Sequence, residues 1–250
     1  MSQMKLLDLF CGAGGVGYGY HLAGFDVVGV DIEPQPNYPF EFHQSDALEF
    51  LELHAHEFGA IHASPPCQFA TTASQVWRAK GKHYENLIPA TREALKKTGL
   101  PYVIENVPGA AKWLIDPVYL NGAMFGMLVH RERLFECSFE VPLFLLPQLV
   151  KPVKMGRPVK AGDVIQPVGN FSGVEYARKQ MGISWMSQRE LSQAIPPAYT
   201  KYIGGLLLAN TALPPNTAST RQVEGSAKKS LSTPGAFPVS EHEQTPATCG

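Results

Sequence analysis

The sequence predicts an α/β fold built on an open sheet with its functional residues at the strand tips. Three observations predict it. A short apolar strand, Lys5 to Phe10, runs straight into the glycine-rich turn Cys11-Gly12-Ala13-Gly14-Gly15-Val16-Gly17. A second strand, Phe25 to Val30, ends in Asp31, and further apolar runs end in Pro65-Pro66-Cys67-Gln68 and in Glu105-Asn106. Segments with helical spacing lie between them, above all Tyr84 to Thr98, which Gly99 closes. In open α/β sheets ligands gather beyond the carboxyl ends of the strands, so residues at those tips are the candidates for function.

The 250 residues are enough for one sizeable α/β domain with a small appendage. The formal net charge of −1 gives no global basic signature, so a nucleic-acid partner would have to be met by a local patch. The four cysteines, Cys11, Cys67, Cys137 and Cys249, form no C-x-x-C pair. That spacing argues against zinc and against a disulfide framework, and a reducing cytosol is the expected setting. No signal peptide and no membrane-spanning apolar run is expected.

Gly12, Gly14 and Gly17 match G-x-G-x-x-G, a pattern that permits a tight turn and close approach of a ligand to the helix N-terminus. Asp31, at the tip of the second strand, stands where an acid commonly binds ribose hydroxyls. Together they indicate a nucleotide-like cofactor without saying which. Asp8, inside the first strand, would repel a pyrophosphate if it pointed into the phosphate region. A cofactor carrying an amino acid there would be more comfortable. Asp46 lies where a third strand ends and Ala47-Leu48 begin a helix, which also makes it a natural N-cap.

The prolines before Cys67 fix φ and remove backbone donors, leaving the thiol on a stiff loop at the strand's mouth. Taken alone, such a cysteine is equally a small buried residue beside a structural turn. Residues 69–83 are polar, with Thr71, Thr72, Ser74, Arg78, Lys80 and Lys82, and read as a mobile, partly basic loop. Glu105 ends the strand Pro101 to Ile104, and a carboxylate there is costly unless paired or used. Arg131 and Arg133 are expected on one face of the strand that follows, by period two.

Residues 141–171 are irregular, proline-rich and basic, and read as a minimal second lobe without its own core. Glu175 to Met186 and Gln188 to Ala194 read as short helices, and Thr200 to Leu208 as an apolar one. From Thr211 the chain is rich in Pro, Ser, Thr, Ala and Gly and reads as a disordered tail.

The motifs in their order resemble the DNA (cytosine-5)-methyltransferase family. They are Asp8-Leu9-Phe10-Cys11-Gly12-Ala13-Gly14-Gly15, Val30-Asp31-Ile32, Ser45-Asp46-Ala47, Pro65-Pro66-Cys67-Gln68, Glu105-Asn106-Val107, Arg131-Glu132-Arg133 and Ile195-Pro196-Pro197. The resemblance runs from about residue 5 to 208, and the Cys67, Glu105 and Arg-x-Arg set is its specific part. It implies a doubly wound, Rossmann-like S-adenosylmethionine-dependent methyltransferase sheet with a minimal irregular second lobe, closed by a C-terminal helix that returns to it. It implies residues 1–136 as the catalytic and cofactor-binding domain, 137–172 as a short target-recognition region, 173–210 as the returning helices and 211–250 as the tail.

For the site, the resemblance implies S-adenosylmethionine near Asp8, Phe10, Gly12, Gly14, Asp31, Ile32, Asp46, Ala47, Pro66 and Gln193. Asp31 would meet the ribose, Ile32 and Asp46 the adenine, and Pro66 would shape the nucleophile's loop. Cys67, Glu105, Arg131 and Arg133 would be catalytic, with no metal. Cys67 would attack C6 of a flipped cytosine in double-stranded DNA, Glu105 would meet N3 and Arg133 would hold the O2 edge. The thiol would need a lowered pKa, which nearby positive charge supplies.

Two departures from the family stand out. Gln193 occupies the place of the family's asparagine. Only a short stretch is left for target recognition, which implies a site of about two to four base pairs, or a partner. The compact chain suggests a phage or mobile-element origin, a monomer, and work in the cytoplasm of a bacterial or phage-infected cell, protecting DNA from restriction. An RNA cytosine-5 methyltransferase is the alternative, although the Cys-Phe-Thr of the tRNA-methylating branch is absent, because Gln68 follows Cys67. Another is a non-catalytic DNA-binding relic.

Overall fold

A computed structural model describes residues 3–70, 79–81, 83–142, 150–154 and 156–212. The polar residues 71–78 and Lys82, and the tail with Cys249, lie outside the described residues.

Seven strands form one mixed sheet: β1 Lys5–Leu9, β2 Asp26–Asp31, β3 Glu41–Gln44, β4 Ala60–Ala63, β5 Tyr102–Asn106, β6 Val118–Leu120 and β7 Arg133–Cys137. Their order is β3-β2-β1-β4-β5-β7-β6. The first five are parallel, while β7 runs antiparallel between β5 and β6. The described helices are α1 Gly15–Ala23, α2 Ala47–His54, α3 Ile88–Thr98, α4 Val174–Met181, α5 Gln188–Gln193 and α6 Pro197–Ala212.

Alternation along the strands divides the core into two layers. Leu7, Leu9, Val28, Val30, Ile61 and Ile104 pack with α2 and α3 on one face. Leu6, Val27, Ala60 and Val103 pack with Val16 and Tyr20 of α1 and with Tyr199, Ile203 and Leu207 of α6 on the other. The C-terminal helix thus returns to the sheet. Its contact with α1 is close: Thr200 Oγ1 donates to Val16 O at 2.8 Å, and a Cβ at Gly19 would collide with that same hydroxyl oxygen.

The helix expected from Tyr84 begins only at Ile88. Pro89 in the first turn sets its start, and Asn86 Oδ1 accepts from Ile88 N at 3.1 Å. The helix expected over Glu175 to Met186 stops at Met181, because Gly182 leaves it with φ 70°. Ser187 and Glu190 then start α5 with a reciprocal capping box.

The second lobe, expected to lack a core of its own, adds residues to one shared with α4 and α5. Ile165 and Phe171 are buried with Val129, with Ala177 and Met181 of α4, and with Leu191 of α5. Prolines hide this from periodicity, because the segment contributes isolated apolar residues rather than an amphipathic element.

Candidate active site

Parallel strands β4 and β5 place their last residues on one edge of the sheet, and antiparallel β7 places its first residue there. This is how Cys67, Glu105 and Arg133 come together. Glu105 pairs with Phe135 across the β5–β7 ladder, and Arg133 lies just beyond that ladder's end. Arg133 Nε meets Glu105 Oε1 at 2.8 Å, with both side chains largely buried. Ser64, on the loop that leaves β4, stands near the Glu105 carboxyl and pulls its pKa down.

The Pro-Pro-Cys loop is held from below. Ser64 N donates to Leu9 O at 3.1 Å, and Asn106 Nδ2 donates to Pro65 O at 2.9 Å. Asn106 is buried and ties β5 to this loop, a role that its place in the Glu105-Asn106-Val107 motif did not assign it. A polar residue next to the candidate acid, at the end of a buried strand, was the available signal. Beyond the cysteine, Ala70 N donates to Cys67 O at 2.9 Å, and Phe69 packs edge-on against Trp113 at 4.9 Å. The described part of this loop is therefore anchored. Pro66 is exposed at its turn.

Electrostatics set the protonation of the pair. Burial raises the Glu105 carboxyl above the ordinary carboxylate range, although Arg133, Ser64 and Arg131 pull the other way. Burial also raises the Cys67 thiol, the Glu105 charge adds to that, and Arg133 and Arg131 oppose it without prevailing. The expected lowering of the thiol pKa is therefore not found in the resting site. The sequence shows two arginines nearby but not the burial that outweighs them.

Arg131 and Arg133 do not share a strand face. Residue 131 precedes β7, and its guanidinium turns away from Glu105 to three backbone carbonyls: Ala194 at 3.0 Å, Pro167 at 2.8 Å and Ser192 at 2.9 Å. Its own carbonyl accepts from Tyr199 Oη at 2.6 Å. Arg131 is a buried clamp that joins the second lobe and α5 to the sheet. Its charge still acts on the Glu105 carboxyl and the Cys67 thiol, lowering both.

The glycine loop forms the other half of the edge. Phe10 adopts φ 58°, a conformation strained for an aromatic residue and characteristic of functional turns. Gly12, at φ 49°, faces open space where a Cβ would stand, so a ligand can reach its backbone. Gly14, at φ 85°, caps α1, and a Cβ there would come within 2.7 Å of Pro39 Cδ. Asp31 Oδ2 accepts from Gly12 N at 3.0 Å, and Oδ1 accepts from Glu33 N at 3.0 Å. Each oxygen keeps a lone pair for a hydroxyl. Ile32, beside it, is 64 % exposed. Asp46 is exposed and caps α2 through Oδ1, accepting from Leu48 N at 2.8 Å and Glu49 N at 3.1 Å. Asp31, with the exposed Ile32 beside it, fits the ribose and base of a nucleoside-bearing cofactor.

Three further expected cofactor residues, Asp8, Ala47 and Gln193, differ in their exposure. Asp8 is completely buried behind the loop, accepting from Tyr38 Oη at 3.2 Å and from the Gly17 backbone. Burial pushes its carboxyl well up, and its Oδ1 has no hydrogen-bond partner. Its period-two place on β1 points it under α1, so it supports the turn and does not face a ligand. Ala47 is buried in the first turn of α2 and packs into the core. Gln193 is exposed at the end of α5, and it is the neighbouring Ile195 whose carbonyl lies against Gly15.

Two supports escaped sequence reading. Tyr38 sits against Gly29, where a Cβ would collide with its ring. Trp185 Nε1 donates to Ala13 O at 3.0 Å and packs edge-on against Tyr18 at 4.9 Å. Tyr38 lies outside every segment read as a strand or helix, and Trp185 lies in the end of the expected helix that Gly182 cuts off.

Among the described residues no group of three or more His, Cys, Asp or Glu could hold a metal ion, and no helix is long and apolar enough to cross a membrane.

Three solved structures share this architecture. A DNA modification methyltransferase encoded within an E. coli prophage matches at TM-score 0.55 and 15% identity, covering 83% of this chain and 99% of that one. The methyltransferase EhMeth of Entamoeba histolytica matches at TM-score 0.58 and 13% identity, over 84% and 99% of the two chains. The S. pombe Dnmt2 methyltransferase matches at TM-score 0.53 and 14% identity, over 85% and 100%. The chain has the α/β Rossmann-like fold of S-adenosylmethionine-dependent methyltransferases.

Sequence similarity is weaker. The chain is 26% identical over 168 residues to the type II methyltransferase M.AgeI of Thalassovita gelatinovora, which covers 53% of this chain and 38% of that protein. It is 28% identical over 173 residues to the type II methyltransferase M.AquIA of Picosynechococcus sp., over 57% and 68%. The chain thus spans little more than a third of the length of M.AgeI. No protein-family model matches it.

Proposed function

We propose that this protein transfers a methyl group from S-adenosylmethionine to C5 of a flipped-out cytosine in double-stranded DNA, through a covalent bond between Cys67 and C6. The observation that carries the reading is the buried Glu105–Arg133 pair at 2.8 Å on the same sheet edge as Cys67. Similarity to two type II methyltransferases supports DNA as the substrate.

C5 of cytosine is a poor nucleophile. Addition of the Cys67 thiolate to C6 makes C5 enamine-like, and negative charge builds on N3. A protonated Glu105 relieves that charge by giving its proton to N3, while Arg133 holds the carboxyl in place. Burial raises the Glu105 carboxyl toward this protonated form. The same protonation removes the Glu105 charge that raises the Cys67 thiol. The two groups are thereby coupled toward thiolate and acid together.

When bound, S-adenosylmethionine would supply the methyl group from its sulfonium, and Phe10, Gly12, Gly14, Asp31, Ile32 and Asp46 would hold it. Loss of the C5 proton to water, expulsion of the Cys67 thiolate and return of the N3 proton to Glu105 restore the ring. Residues 137–172 serve as a short target-recognition region, which limits the number of base edges read.

Trapping on a duplex library containing 5-fluorocytosine, with S-adenosylmethionine added, tests the reading, because fluorine at C5 blocks the final elimination. A covalent adduct that is lost in Cys67→Ser is expected. No adduct on any DNA, despite measurable cofactor binding, overturns it.

A further inference from the structure

Behind Glu105 lies a line of buried polar groups that the chemistry above does not use. Tyr20 Oη of α1 stands 2.9 Å from His62 Nδ1, and His62 Nε2 stands 3.0 Å from Ser64 Oγ. Ser64 in turn lies near enough to the Glu105 carboxyl for its hydroxyl to pull that carboxyl's pKa down. Tyr20 and His62 are completely buried, on the α1–α6 face of the sheet. A buried histidine in the middle of a strand is costly unless it is paired on both nitrogens, as it is here.

We propose that Tyr20, His62 and Ser64 are positioning residues for Glu105, forming a one-way hydrogen-bond relay that leaves the Ser64 hydroxyl only the carboxyl as acceptor. Its direction follows from satisfiability. The Tyr20 hydroxyl has no other hydrogen-bond partner among the described residues, so its O–H donates to His62 Nδ1. Burial holds His62 neutral, with its pKa lowered to about 3, so the ring carries one proton, and that proton must sit on Nε2. Nε2–H then donates to Ser64 Oγ. The Ser64 proton is turned away from the ring and toward Glu105. With Arg133 on Oε1, the carboxyl is held from two sides and its orientation toward the base is set before substrate arrives.

The relay's effect on catalysis rests on the reading of Glu105 given above, so two readouts separate the claims. The first is independent of activity: the ¹⁵N shifts of the His62 imidazole in the full chain. Wild type should show a bare Nδ1 and a protonated Nε2, and Tyr20→Phe, which keeps the ring packing against Phe25, should yield a tautomer mixture. A protonated Nδ1 in wild type overturns the relay.

The second readout is the single-turnover rate of adduct formation on 5-fluorocytosine DNA. Ser64→Ala and Tyr20→Phe should each slow it, by about tenfold and about threefold, with DNA KM and cofactor Kd changed by less than about twofold. The double variant should be no slower than Ser64→Ala, because Tyr20 acts through Ser64, and Ser64→Thr should restore the rate. Single variants at the wild-type rate, or a double variant with multiplied losses, overturn the relay. A wild type with the expected tautomer but no adduct sinks the cytosine reading and, with it, the catalytic role of the relay.

Discussion

The two halves of the sheet's carboxyl edge differ in how their residues are gathered. At the β1–β2–β3 end, Phe10, Gly12, Gly14, Asp31 and Asp46 come from one contiguous stretch whose strands pair with their sequence neighbours. At the β4–β5–β7 end, Cys67, Glu105 and Arg133 come from three separated segments, one of them on an antiparallel strand inserted out of order. The first half is a backbone device, made of left-handed turns and caps. The second is a side-chain device, in which each group's protonation depends on the burial of the others. Local conformation can be perturbed at one end without disturbing the electrostatics of the other.

The sharpest test of that independence is Cys67→Ser. Adduct formation should fall by about 10³-fold or more, while calorimetric titration should find S-adenosylmethionine binding unchanged. Gly14→Ala is the reciprocal change. At φ 85°, with Pro39 Cδ only 2.7 Å from where the added methyl would stand, the loop must shift, and cofactor affinity should drop by about tenfold. Alkylation of Cys67 should proceed at the wild-type rate. A change in both properties in either variant would show that the two ends are coupled.

Arg131→Met probes the link between the ends and the second lobe. Three backbone carbonyls lose their donor, and urea unfolding should show a loss of about 3 kcal/mol.

Alkylation of Cys67 by iodoacetamide, read by peptide mass mapping, should rise with pH, with a midpoint above that of an ordinary exposed thiol. Because the Glu105 charge raises that midpoint, Glu105→Gln should lower it. Cys137, pushed up to about 12 by burial, should stay unmodified through this window. The smallest effect belongs to Gln193→Asn: the residue is exposed at the end of α5, and cofactor affinity should change by less than about threefold.

Much of this edge was legible in the sequence. Strand tips carry their own signals, an apolar run followed by glycine, proline or an acid, and these placed β1, β2, β4 and β5 to within a residue or two. Strand β6 was missed, because Val118–Leu120 is too short to show alternation and its pairing is with β7 alone. The partners of Asp8 and Arg131 were not legible in the sequence, for a common reason. A motif places a residue along the chain, but which side of the sheet it faces, and which carbonyls lie within reach, depends on packing from distant segments. Tyr38 beneath Asp8 and the Ser192–Ala194 carbonyls around Arg131 are such partners.

By itself the sequence determined the strand–turn–helix alternation, the glycine turn, the stiff Pro-Pro-Cys loop and the identity of the chemical groups at the strand tips. These rest on backbone preferences that act over a few residues. Only the tertiary structure decided that Arg133 rather than Arg131 meets Glu105, that Asp8 lies behind its loop, that the second lobe shares a buried core with α4 and α5, and that the resting Cys67 thiol is raised rather than lowered. Each of these is a balance of burial against charge, and burial is a property of the assembled fold.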